Sequence, residues 1–202
     1  MLFTKRDLRR IVIPLIVEQV LAVSIGMFDS MMVSSAGEAA ISGVSLVDTL
    51  NLLLIYMFSA LSSGGAVIIS QYLGKGDENR ARDACKQLVW IVFLVAFSIT
   101  SVALIFRSLL LRLIFGSISD EVMANASIYF LFTALAYPFL GLYNSGAAIF
   151  RSMGNSKISM IASIIMNVLN VVGNAFLIFV LHLGAAGAAI ATLFSQIGRA
   201  HV

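Results

Sequence analysis

Two acids and three amides lie in stretches that are otherwise hydrocarbon. Glu18 and Asp29 both fall in the apolar run 11–34. Eleven steps of about 100° return nearly to the starting direction, so both carboxyls share one helix face at different depths. At a bilayer centre an aspartate costs roughly 2.5–3.5 kcal/mol on insertion scales. Desolvation disfavours the charged form, so such a group needs a donor, a counter-charge or a proton. Asp29 has two readings: a hydrated or capped residue at the outer end of its helix, or a buried ion- or proton-binding group. The second is the expectation. Glu18 lies only about two turns in, where it could line a cavity or be reached by Arg9 or Arg10.

Asn167, Asn170 and Asn174 are offset by 0, 3 and 7, which puts all three amides on one face within about 60°. Asparagine is a poor helix former and must find hydrogen-bond partners in hydrocarbon. A single one is often interhelical glue, worth about 0.6–2 kcal/mol. Three in a stripe point to a polar cavity facing the inside of a bundle. Thr192 could join them, or bond back to its own helix. Asp120 and Glu121 suit a helix N-terminus, and His182 suits a solvated loop. No H-E-x-x-H, G-x-S-x-G, acid-rich diphosphate or Walker A pattern occurs, so neither an enzyme nor a cofactor or metal is expected.

The elements that must position these residues follow from composition. Of 202 residues, 60% are apolar and 11% charged, with mean hydropathy +1.00. Soluble chains carry about 25% charge, so a soluble enzyme, a nucleic-acid binder and a disordered chain are excluded. Charge-free runs at 49–74, 87–106, 122–150 and 158–198 measure 26, 20, 29 and 41 residues. A span needs about 20, so the last run holds two. The expected fold is an all-α integral membrane protein with spans at 11–34, 46–73, 88–111, 122–149 and 158–181. A sixth, 185–196, is cut short.

Pro14 and Pro138 fall inside spans and are candidate bends. Small residues four apart, Gly141/Ser145 and Ala185/Ala189, allow close helix approach. Ten Lys and Arg lie before the first span or in the 2–3 and 4–5 loops, against Arg107 and Arg112 on the other side. The positive-inside rule then places the N-terminus in the cytoplasm. The same rule accounts for the basic residues without a nucleic-acid partner. The basic N-terminus before an apolar run is unlike a signal peptide, because the run is too long and ends in no cleavage site. Cys85 is the sole cysteine and forms no intrachain disulfide.

Several of these residues carry a family resemblance. Pro14 followed fifteen positions on by Phe28-Asp29-Ser30 resembles the first helix of multidrug and toxic compound extrusion (MATE) transporters. Ser70-Gln71-Tyr72-Leu73-Gly74, Phe150-Arg151-Ser152-Met153-Gly154-Asn155-Ser156-Lys157 and Asn170-x-x-x-Asn174 are similar to theirs, in the same order. The resemblance implies a twelve-helix, two-lobe secondary antiporter, of which residues 1–196 would be the N-terminal lobe. It would export small organic cations across a bacterial plasma membrane in exchange for H+ or Na+. Implied coupling residues are Asp29, Asn170, Asn174 and Thr192, with Na+ possible at the first three. Pro14 matches a helix-1 bend, and Tyr137 a cavity wall. Archaeal-type members carry Asp where this chain has Asn174, so one titratable group is missing.

A related alternative is a flippase for lipid-linked oligosaccharides or peptidoglycan precursors, whose cavities usually carry several Arg or Lys. Spans 2, 4 and 5 carry none. A membrane-embedded enzyme is a more distant rival. The closing Ile197-Gly198-Arg199-Ala200-His201-Val202 resembles the translation of a sequencing adapter. The expectation is therefore that 197–202 are non-native and that a C-terminal lobe is missing.

Overall fold

A computed structural model describes residues 5–200, and the side chains of 5–8 and 10 lie outside the described set. The cations Lys5, Arg6 and Arg10 and the tail residues 201–202 fall there. Among the described residues there are seven α-helices: α1 Lys5–Ser34, α2 Glu38–Gly74, α3 Glu78–Ile105, α4 Arg107–Phe115, α5 Asp120–Ser152, α6 Ser156–Asn174 and α7 Gly184–Ala200. A π-helical segment, Ala175–Val180, continues α6. Five helical stretches are long and apolar enough to cross a membrane. The protein is a multi-pass membrane protein, with five candidate spans among the described residues and α7 packed beside them.

Several helix ends differ from expectation for local reasons. α2 starts at Glu38, eight residues before the expected start of that span at 46, because Gly37 turns the chain at φ 111° and Glu38 favours the helix N-terminus. That places Asp48 inside the helix rather than at its edge. α3 starts at Glu78, capped by the Asp77 side chain accepting from the Arg80 N–H. The charged 2–3 stretch is thus the first turns of a 28-residue helix, about 42 Å long at 1.5 Å per residue. It outruns the hydrocarbon and breaks at Phe106, so 106–111 belongs largely to the short basic helix α4.

α5 is the central helix: 56% of its most apolar stretch is buried, against 6% for α1. It packs on α2, α7 and α3, while α1 leans on α6 and touches α2 only lightly. Small residues set these approaches. A Cβ on Gly43 of α2 would meet the Ala126 N and Val122 O of α5 at 2.8 and 2.9 Å. At Gly141 it would come within 3.1 Å of Ala96 and Val92, and Ser145, Ala185 and Ala189 are buried as small-residue spacing predicts. Pro138 leaves the Ala134 carbonyl without its helical donor, and the Thr100 hydroxyl of α3 supplies one at 3.0 Å. α5 therefore runs unbroken through its proline, and α1 continues through buried Pro14.

Candidate functional site

α6 ends on Asn174, where the helix widens into the π turn. Such widenings often mark functional positions. Asn174 is wholly buried, and its amide Nδ2 donates to Asp29 Oδ1 on α1. The same nitrogen lies 3.2 Å from Asn170 Oδ1, and Asn170 Nδ2 donates to Thr192 Oγ1 of α7 at 3.3 Å. One hydrogen-bonded chain thus joins Asp29, Asn174, Asn170 and Thr192, the four residues singled out for coupling. It forms because Gly173 lets α6 and α7 approach: a Cβ there would be 3.1 Å from the Ala191 Cβ.

Asn167 shares the stripe and is buried, but its Oδ1 has no hydrogen-bond partner and the residue stays outside this chain. It lines an open groove of about 280 Å³ between α1 and α6, with Leu21, Ser24, Ile25, Phe28 and Val168. Asp29 is half-buried, and no salt bridge reaches it among the described residues. Its carboxyl is met by an amide alone. An amide donor can be matched or displaced by a proton or a metal cation, so the arrangement can exchange small positive ions.

A second polar cluster was missed in the sequence. Asp48 on α2 accepts from Asn51 Nδ2 at 3.2 Å and from the Tyr129 hydroxyl of α5 at 3.0 Å. Tyr137, expected at the cavity wall, is buried and donates to Asn51 Oδ1 at 2.8 Å. The signal available was an acid and an amide three apart, facing tyrosines eight apart.

Glu18 lies in a third cluster. The Tyr143 hydroxyl donates to its Oε1 at 2.6 Å, and the Ser163 hydroxyl sits 3.0 Å from the same phenol oxygen. Arg151 and Arg199 each approach the carboxylate to 3.7 Å. The Arg199 guanidinium also lies 3.2 Å over the Tyr143 ring and donates to Ser163 Oγ at 2.9 Å. The partners are therefore arginines of α5 and α7. Arg9 is exposed, and the Arg10 side chain lies outside the described set. Arg199 belongs to the hexapeptide expected to be non-native, whereas the Glu18–Arg151 pair does not depend on it.

The fold is shared with related proteins. The MatE family profile matches residues 14–176. The uncharacterized transporter YisQ of Bacillus subtilis is 29% identical over 188 residues, covering 91% of this chain and 41% of the relative. A probable multidrug resistance protein NorM of Thermotoga maritima is 27% identical over 201 residues, covering 95% and 42%. Among solved structures, an outward-facing multidrug resistance MATE transporter superposes with TM-score 0.91 at 23% identity, covering 98% of this chain and 43% of that one. An inward-facing counterpart gives 0.81 at 24% identity, covering 88% and 40%. The chain spans about two fifths of the length of these relatives. With four fifths of its residues inside the family profile, the chain belongs to the MatE family of multidrug and toxic compound efflux transporters.

Proposed function

We propose that the chain is the N-terminal lobe of a secondary antiporter that exports organic cations from a bacterial cell in exchange for H+ or Na+. The lobe would sit in the plasma membrane with its N-terminus in the cytoplasm, and a second lobe would complete the pathway. The carrying observation is the chain Asp29–Asn174–Asn170–Thr192, an intramembrane carboxyl without a fixed cation. A coupling ion and an exported cation compete for such a group. Each shifts the inward–outward equilibrium by its differential affinity for the two states, which is the requirement for exchange. The groove lining contains no Lys or Arg, which supports a cationic substrate over a lipid diphosphate.

The test is efflux of a fluorescent organic cation from membrane vesicles holding the transporter with both lobes. Efflux should run on an imposed proton or sodium gradient and stop when that gradient is collapsed. Efflux indifferent to both gradients would rule the antiport reading out.

A further inference from the structure

α6 divides its faces sharply. The outward face is aliphatic, with Ile161, Ile165, Val168 and Val172 exposed. The buried face carries Ser156, Ser159, Ser163, Asn167, Asn170 and Asn174, spaced three or four apart along one unbroken helix. Side chains at that spacing have Cβ atoms about 5–6 Å apart, so the six form a file with one member per turn. From Ser156 to Asn174 the helix rises about 27 Å, close to the thickness of the hydrocarbon core. A single amide suffices as interhelical glue; a polar file across the whole bilayer needs another reason.

The file joins two clusters already described. At one end Ser163 lies 3.0 Å from the Tyr143 hydroxyl, which donates to Glu18 at 2.6 Å. At the other, Asn174 and Asn170 hold Asp29 and Thr192. Between them stands Asn167, 7% exposed, which makes no hydrogen bond among the described residues and whose Oδ1 is fully buried. Ser156 Oγ and Asn174 Oδ1, on the same face, are also buried without partners. Buried oxygens without donors are rare and costly. These lie inside the lobe, beyond reach of side chains from a second lobe, so the donor that meets them must be as small as water. Ordered waters settle at such groups in folded proteins.

We propose that Asn167 is the relay position of a proton route that runs along the buried face of α6, from Asp29 to the Glu18 end of the lobe. The proposed orientation puts that end at the cytoplasm. The proposal rests on the reading of Asp29 as the coupling group and deepens it by naming the proton and its path. The amide oxygens of Asn167 and Asn174 hold waters in line and are not themselves protonated. Asp29 gives its proton to the first water, each later water or hydroxyl takes one proton and gives one, and the last proton leaves to bulk water. Asp29 ends as the carboxylate, and every relay group ends unchanged. The charged and titratable groups at the file are Asp29 and Glu18 from α1, Tyr143 and Arg151 from α5, and Arg199 from α7, which donates to Ser163 Oγ at 2.9 Å. The Glu18–Arg151 pair leaves the exit neutral without Arg199.

The experiment is proton-driven efflux of a fluorescent organic cation from vesicles holding the transporter with both lobes. It is run in H2O and D2O with pH set separately on each side. Asn167→Leu keeps the bulk and removes the amide. It should slow coupled efflux about a hundredfold, raise the solvent deuterium isotope effect, and alter the dependence on cytoplasmic pH but not on external pH. Its unfolding temperature in detergent should hold or rise, because leucine removes an unmet buried polar group. Asn167→Ser, which keeps a hydroxyl and leaves room for one more water, should return the rate to within a few-fold of wild type.

Wild-type rate and isotope effect in Asn167→Leu, with coupling lost in Asp29→Asn, would overturn the route and leave the Asp29 reading standing. Unchanged coupling in both variants would overturn both. A slowed Asn167→Leu whose unfolding temperature falls in step, with no change in isotope effect, would make Asn167 a packing residue and overturn the route. Efflux driven by sodium with no proton movement would overturn it as well.

Discussion

The two acids of α1 share a helix face, and each meets α6 in the same register: Glu18 near Ser163, and Asp29, eleven residues on, at Asn174, eleven residues beyond Ser163. Their surroundings differ in one respect. Glu18 is met by a phenol and by arginines fixed to the protein, so its charge is balanced permanently. Asp29 is met by the Asn174 amide, itself held by Asn170 and Thr192, which solvates a charge without neutralising it. On the proposed reading, the same residue class on the same face serves two ends. A carboxylate with a tethered cation fastens helices together, whereas one without it leaves room for a cation that comes and goes.

The comparison can be broken by giving Asp29 a tethered cation. Asn174→Lys would place an ammonium beside Asp29 and convert it to the Glu18 type. Coupled efflux should fall more than about a hundredfold, in line with the several kcal/mol available to a charge pair in a dry site. Thermal unfolding should confirm that the fold survives.

The converse change, Glu18→Gln, strips Arg151 of its anion at a partly buried position. It should cost about 1–3 kcal/mol of stability, read as a lowered unfolding temperature in detergent, with ion coupling retained. Gly173→Val would force α6 and α7 apart and break the Asn170–Thr192 bond. Sodium or proton affinity should drop about tenfold, as expected when a supporting partner of a ligand is lost. The smallest effect is expected at Thr100→Val, which removes the donor to the Pro138-freed carbonyl. It should cost about 0.6–2 kcal/mol in unfolding and leave transport rates unchanged.

Much of the Asp29 cluster was legible in the sequence because helical spacing alone puts Asn170 and Asn174 on one face and an acid in hydrocarbon demands a partner. Asp48 was not. The charge-free run begins only after it, so it read as the edge of a span. Recognising it required knowing that small residues carry α2 back to Glu38 and let it close on α5 at Gly43. The partners of Glu18 were also beyond reach, because they come from α5 and α7, more than a hundred residues away in the chain. The break at Phe106 was hidden by an apolar run that continues through it, and only the length of α3 explains why the helix stops there.

Gradient-driven efflux in one set of vesicles, comparing Asp29→Asn with Glu18→Gln at matched protein levels, tests the central claim most directly. The account predicts that Asp29→Asn abolishes the dependence of efflux on the ion gradient while Glu18→Gln retains it. Full gradient dependence in Asp29→Asn, or its loss only in Glu18→Gln, would contradict the assignment of Asp29 as the exchanging group.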